Sequence, residues 1–389
     1  MNNQIVFLKG AERVRRRPAV VFGDVGDTGA MNSVERMIHI LASECVDGYS
    51  NLLEISLKAD HVVCISNNGR GIYLGRPDEV DDRIWKDMFC ELFAGAKYED
   101  FANKDTRYSI YEENGVAERR RWLVDDEAEL YLVSVQYASA FMEVVSVRDG
   151  YEYRLSFKNG ENVGGLSKSQ TAAPAGTKIT FKLDQEVFGA YTLCSTQIKE
   201  KADLLALANP GVTVKVSIEG EGVTAYCYPD GLQSYMEARC DNGRGTPIFR
   251  NIIKGVGQDR YNYPSYNAQI EVGISFAPNQ GYIKCLHNQR ELTYGGTHIV
   301  NLKYYIGKYI EYMLGVLPTE EDLLRHLQMV VITYTDGIPH WENGTRLSIS
   351  HNVIRDMAED TVKEDFRYFL KQNTGALEKM YKLQETRKE

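Results

Sequence analysis

Asn67, Asn68, Gly69, Arg70 and Gly71 end the apolar alternation of CISNNGRGIYLG (64–75), and they are the first residues in the chain whose types suit chemistry. Two glycines one residue apart reach dihedrals closed to other residues and let a ligand approach the main chain. An asparagine beside them offers an amide donor and a carbonyl acceptor. A plain hairpin turn uses the same residues, so the segment alone does not decide between a site and a turn. Upstream, Arg36, Ile40, Ser43 and Glu44 share one side of a helix whose other side is Val34, Met37, Ile38, Leu41 and Cys45. Arg36 and Ile40 stand four residues apart, so a cation and an apolar side chain project together. No Ser-His-Asp or Cys-His constellation assembles from the sequence, and His39 reads as a lone helical histidine.

These residues need a scaffold, and the chain has material for one. At 389 residues and 43% hydrophobic content it suits two domains with separate cores. Seven cysteines (Cys45, Cys64, Cys90, Cys194, Cys227, Cys240, Cys285) stand singly and in odd number, against a disulfide framework or zinc knuckle and in favour of a reducing compartment. No apolar run is long enough for a membrane span, and MNNQIVFLKGAERVRRRP has no apolar leader core, so a cytoplasmic, membrane-free protein is expected. A net charge of −9 argues against broad DNA binding by this chain alone. The basic runs Arg15 to Arg17 and Arg119 to Arg121 read as solvated faces, and the 25 tyrosines read as packing residues.

The periodicity predicts a helix over 33–45, strands in NLLEISLKAD and HVVCISNN, a helix over 81–95, and a polar lid over about 99–128. Strands are expected in LYLVSVQYA, FMEVVSVRDG, YEYRLSFKNG and GTKITFKL, forming an antiparallel sheet with helices on one face. A composition shift puts the domain boundary near residue 205, giving domains 1–205 and 206–389. The second domain is expected to hold strands at about 211–228 and 267–287, a helix in HIVNLKYYIGKYIEYML, the strand QMVVITYTDG, one closing helix in SHNVIRDMAEDTVKEDFRYFLKQN, and a frayed tail from Thr374.

Five segments, in order, resemble the amino-terminal half of type IIA topoisomerase B subunits, DNA gyrase B and its topoisomerase IV counterpart: GAERVRRRPAVVFGD, NNGRGI, LFAGAKYED, GTKITF and RELTYGGTHIVNLKYYIGKYIEYM. The resemblance implies an α+β chain: a GHKL (Bergerat-type) ATPase sandwich followed by a transducer domain of ribosomal-protein-S5 type. It also implies a homodimer closed through the amino-terminal arm. Nothing in the chain resembles the family's metal site or DNA-cleaving tyrosine domain, so cleavage by this chain alone is not expected. His287 and His298 fall near the Gly-Gly-Thr-His segment and are expected to be structural.

Carried over residue by residue, the resemblance puts Arg36 where the family has its catalytic glutamate and Ile40 where it has a magnesium-holding asparagine. A guanidinium has no acceptor for a proton, and isoleucine has no metal ligand. Glu35 points about 100° away on the helix, and Glu44 lies two turns on. The adenine-binding aspartate becomes Asn67. No glycine occurs between Gly115 and Gly150, where a phosphate loop is expected, and Asp125, Asp126, Glu127 and Glu129 stand there instead. Thr177, the rim cation Arg148, the Glu44 and Arg70 pair, and Arg346 in place of a transducer lysine are retained features. No catalytic residue is assigned, no metal or cofactor is expected, and the substitutions speak against ATP and magnesium.

The pocket so composed is Arg36, Ile40, Glu44, Asn67, Gly69, Arg70, Gly71, Arg148, Thr177 and Arg346. It suits a small molecule with one anionic or carbonyl group and an apolar body, because a buried guanidinium needs a partner. Three functions fit this reading: a gyrase-B-like pseudo-ATPase that binds, and acts on or responds to, such a molecule; an accessory topoisomerase-like subunit that still binds nucleotide; and an interaction protein that mimics the gyrase module.

Overall fold

The computed structural model describes residues 8–74, 83–92, 128–239, 245–258, 265–335, 341–342 and 347–381. These divide into two compact units, one ending at Cys227 and the other beginning at Tyr228. The predicted lid, the LFAGAKYED motif from Phe93 on, Arg119 to Arg121 and Arg346 lie outside the described residues.

The first unit is built on a mixed sheet. Its strands are β1 (Leu52–Leu57), β2 (Val63–Asn67), β3 (Ser139–Arg148), β4 (Tyr151–Lys158), β5 (Glu161–Asn162), β6 (Ser167–Gln170), β7 (Gly176–Leu183), β8 (Thr213–Ile218) and β9 (Gly222–Tyr226). They run in the order β5-β4-β3-β7-β2-β1-β8-β9, with β6 added to β4. Alternation decides which face is buried: Leu53, Ile55, Val63, Ile65, Ile179, Phe181, Met142 and Val144 point into the core. The long helix Gly26–Val46 packs there through Val34, Met37, Ile38 and Leu41, all buried.

Several expectations change. LYLVSVQYA is not a strand: Ala128–Tyr137 is a helix, buried on all sides from Tyr131 onward. An all-round apolar segment has the same composition in either form, and periodicity cannot separate them. The sheet is not wholly antiparallel, because β1 and β8 pair in parallel, Leu52 opposite Thr213 through Leu57 opposite Ile218. That pairing draws 213–226 into the first sheet, so the boundary falls at Cys227 rather than near residue 205. The basic run at Arg15 is not simply solvated either, since its guanidinium reaches Asp184 and the Tyr137 carbonyl.

The second unit holds β10 (Phe249–Gly257), β11 (Tyr266–Phe276), β12 (Tyr282–His287), β13 (Arg290–Glu291) and β15 (Leu327–Thr335), in the order β10-β11-β15-β12-β13. The short strands β14 (Gly295–Gly296) and β16 (Ser348–Ile349) pair separately. β10 is an addition to the expected strands. The helix Thr297–Leu314 forms as expected, with Ile299, Leu302, Ile306 and Ile310 buried. The closing helix is broken into Asn352–Thr361 and Glu364–Gln372. The expected frayed tail is instead a helix, Thr374–Tyr381, anchored by Leu377, Met380 and Tyr381. No described helix is long and apolar enough to cross a membrane.

A polar layer runs through this second core. His287, His298 and His351 are each at most 1% exposed. The Thr333 hydroxyl donates to the Leu286 carbonyl at 3.0 Å, so its oxygen accepts from His287 Nδ1 at 3.0 Å and leaves Nε2 as a lone pair without a partner among the described residues. Burial, with the neighbouring His351, pushes the His287 pKa well down and that of His298 to about 3. Both rings therefore fold neutral. Unfolding returns them to an ordinary value near 6.5, so between there and the folded value the unfolded chain binds more protons and stability falls with pH. Urea titrations from pH 7 to pH 5 are expected to lose about 1.4 kcal/mol per pH unit for each histidine below that value, with a shallower loss in His298→Gln.

Candidate functional site

The stretch from Asn67 to Ile72 joins the long helix to the strands. Glu44, near the end of that helix, is fully buried. Its Oε2 accepts the Arg70 backbone N–H at 2.7 Å, and its Oε1 accepts Arg70 Nη2 at 2.7 Å. The Arg70 guanidinium lies 3.5 Å over the Tyr49 ring. The expected Glu44 and Arg70 pair is therefore present. Gly69 is required beside it: a Cβ there would stand 2.5 Å from Glu44 Oε2. Asn68 Oδ1 accepts from the Ser50 hydroxyl at 2.7 Å and the Leu52 N–H at 3.1 Å, which seats the start of β1.

Asn67, 7% exposed, spends both halves of its amide internally. Nδ2 donates to the Leu41 carbonyl at 2.8 Å, and Oδ1 accepts the Gly69 N–H at 3.1 Å. Farther on, the buried Thr177 hydroxyl accepts the Ile72 N–H at 3.1 Å, and Arg148 Nη1 donates to the Gly71 carbonyl at 3.2 Å. Gly71 holds φ +81°, and a Cβ there would meet the Val147 carbonyl oxygen at 2.3 Å. Arg148 also faces the Tyr73 ring at 5.2 Å.

On the helix, Ile40 is 2% exposed and packs in the core. The Arg36 guanidinium lies 3.9 Å over the ring of Tyr131, a cation–π contact with the helix Ala128–Tyr137. It does not pair with Glu44, which is held by Arg70. Tyr131 is a site neighbour that the sequence does not announce, because its segment reads there as a strand. Glu35 turns elsewhere, 3.1 Å from Lys201 and 3.7 Å from His39. Burial acts to raise its pKa, but the neighbouring His39 and the charge of Lys201 outweigh it and hold the carboxyl at about 2. A carboxylate so acidic is a poor proton acceptor at neutral pH.

The structure thus gathers Arg36, Ile40, Glu44, Asn67, Gly69, Arg70, Gly71, Arg148 and Thr177 in one unit. Asp125, Asp126 and Glu127 lie outside the described residues, and Glu129 falls in the first turn of the helix Ala128–Tyr137. Neither a magnesium ion nor a water-activating base fits the helix face, since position 40 is a packed isoleucine and position 36 a stacked guanidinium. No described group of histidine, cysteine, aspartate and glutamate has metal-holding geometry.

One Cys-His contact does form away from this site, Cys285 Sγ to His298 Nε2 at 3.2 Å, although the sequence suggests none. Burial raises that thiol's pKa, so it is a packed thiol and a poor nucleophile. The six described cysteines are all free.

Placing an aspartate at position 67 is expected to damage the fold. A carboxylate cannot donate to the Leu41 carbonyl, so Asn67→Asp leaves two acceptors facing each other. A loss of about 1–3 kcal/mol in urea unfolding is expected at pH 7, shrinking at acid pH as the carboxyl protonates.

No family model matches the chain. It is 26% identical to the type 2 topoisomerase B protein of Aquifex aeolicus over 92% of its own length and 43% of that protein's. It is 26% identical to DNA gyrase B of Staphylococcus aureus over 95% of itself and 56% of the relative. The chain therefore spans about half the length of these relatives. Among solved structures, the 43K ATPase domain of Thermus thermophilus gyrase B superposes with a TM-score of 0.66, covering 96% of this chain and 93% of that one at 21% identity. That agreement assigns the α+β architecture to the GHKL-plus-transducer type. Across nearly its whole length, the chain is a homologue of the ATP-binding amino-terminal region of gyrase-B-type topoisomerase subunits.

Proposed function

We propose that this chain is a gyrase-B-like pseudo-ATPase whose remodelled pocket binds a small molecule other than ATP. The observation that carries the reading is the helix face: Arg36 stacked on Tyr131 and Ile40 sealed in the core. A protonated guanidinium cannot take a proton from water. Asn67 adds support, because its amide bonds inside the protein are part of the fold. Removing a general base costs about 100- to 10,000-fold. Phosphate release with magnesium and ATP is accordingly expected at least about 100-fold below that of a gyrase B ATPase domain assayed alongside. Sustained turnover that Asn67→Ala abolishes overturns the proposal.

The replacement ligand follows from the same face. Stacking on Tyr131 fixes the plane of the Arg36 guanidinium, whose N–H donors lie in that plane and match a carboxylate or carbonyl group. Asn67 and Thr177, which the sequence offers as neutral hydrogen-bonding groups for a ligand, are engaged within the fold, and Ile40 backs the face from inside the core. In thermal-shift screening, apolar carboxylates are expected to raise the melting temperature of the wild type and not of Arg36→Ala. If ATP binds better than all of them, and Arg36→Ala strengthens it, the nucleotide-binding accessory subunit is the correct reading.

The homodimer expected from the resemblance is part of the proposal. Its amino-terminal arm, residues 1–7, lies outside the described residues. Light scattering is expected to give a mass near twice 44.1 kDa. A monomer at every concentration, with and without ligand, refutes it.

A further inference from the structure

The first unit carries a cavity of about 300 Å³ that shares no residue with the pocket proposed above. It is lined by Lys9, Gly10, Arg13, Glu91, Leu92 and Tyr137. Three segments meet there: the turn over 8–13, the end of the helix Arg83–Cys90 with Glu91 and Leu92 after it, and the last residue of the helix Ala128–Tyr137.

The turn is built by Gly10, whose φ of +49° is a left-handed conformation that glycine adopts freely. It is closed by the Glu12 N–H on the Lys9 carbonyl at 3.1 Å and the Arg13 N–H on the Gly10 carbonyl at 3.2 Å. Arg13 Nε donates to the Leu8 carbonyl at 2.9 Å, which orients the guanidinium and leaves Nη1 and Nη2 without a partner among the described residues. Tyr137, 4% exposed, donates its hydroxyl to the Cys90 carbonyl and so pins the end of the helix Arg83–Cys90 beside the cavity. Burial, with Cys90, Glu91 and Glu161 nearby, pushes the Tyr137 phenol up to about 12, so it keeps that proton. Glu91 follows directly on the helix end, and among the described residues it forms no ion pair with Lys9 or Arg13.

Charges of opposite sign thus line one cavity from different segments without meeting each other. We infer that this cavity is a second ligand site, which takes a small zwitterion, an aliphatic α-amino acid, with its carboxylate on Arg13 and Lys9, its ammonium on Glu91 and its side chain against Leu92. The free edge of a guanidinium matches a carboxylate in bidentate fashion. The ammonium is favoured twice on its side, by the Glu91 carboxylate and by the negative end of the helix Arg83–Cys90. A simple carboxylate meets the two cations but is repelled by Glu91, and a simple amine meets Glu91 but is repelled by the cations. The volume lies at the small end of ligand pockets, which suits a single amino acid.

Isothermal titration of the full chain with L-leucine tests this, with 4-methylpentanoate, 3-methylbutylamine and N-acetyl-L-leucine as controls that each lack one of the two charges. The titrations are run on the wild type and on Arg36→Ala, which removes the carboxylate site proposed above. Saturable binding of leucine is expected in both, and in Arg36→Ala none of the controls is expected to bind. Arg13→Gln and Glu91→Gln are each expected to weaken leucine at least about tenfold, with unchanged melting temperature because both side chains are exposed. Absence of saturable leucine binding overturns the inference. So does leucine binding that survives both Arg13→Gln and Glu91→Gln, or equal binding of 4-methylpentanoate in Arg36→Ala. Leucine binding lost in Arg36→Ala also overturns it, while supporting the pocket around Arg36; the two ideas therefore fail separately.

Discussion

A buried carboxylate organises the first unit. Glu44 has no access to water, and an ionised carboxylate in such a place is tolerable only when its oxygens are paired and hydrogen-bonded. Arg70 meets that demand twice, through its backbone N–H and its guanidinium. To bring both groups to one carboxylate, the chain must turn immediately after β2, and only glycine fits at position 69, against Glu44 itself. The turn then places Asn67 under Leu41, Asn68 at the start of β1, and Ile72 against Thr177. The helix, the central strands and the turn are thus one hydrogen-bonded assembly.

That assembly is held by bonds within the protein. The groups that hold the turn are backbone amides, Glu44, Arg70, Asn67 and Thr177, and none of their bonds requires a nucleotide. Positions 36 and 40 take no part in it. The Arg36 guanidinium finds the face of Tyr131, and Ile40 adds to the buried stripe of the helix. The side chains that hold the turn are therefore different from those of Arg36 and Ile40.

The second unit solves a different problem. It accommodates buried histidines by giving them polar contacts, Thr333 for His287, Cys285 for His298, Tyr266 for His351 and the Asn279 N–H for His326. The expectation that His287 and His298 are structural agrees with these contacts. On the sheet's other side, Arg239 is held by stacking on Tyr235 and Gln328 by the Ser275 hydroxyl.

Much of the fold is legible in the order of the residues. Period-two alternation places β1, β2, β3, β4 and β7, helical spacing places Gly26–Val46 and Thr297–Leu314, and motif order points to the homology. What Arg36, Ile40 and Asn67 can do is legible too, because whether a residue can accept a proton or bind a metal is a property of its type. Other features require the folded chain. The helix at 128–137 is hidden by uniformly apolar composition; the parallel pairing of β1 with β8 joins residues some 160 positions apart, and no local pattern encodes such a partner. The stack of Arg36 on Tyr131, the internal use of the Asn67 amide and the Cys285 to His298 contact arise in the same way. Sequence determines which chemistry each residue is capable of and which face of its element it occupies; tertiary structure decides which neighbour receives it, because that choice depends on packing between segments distant in the chain.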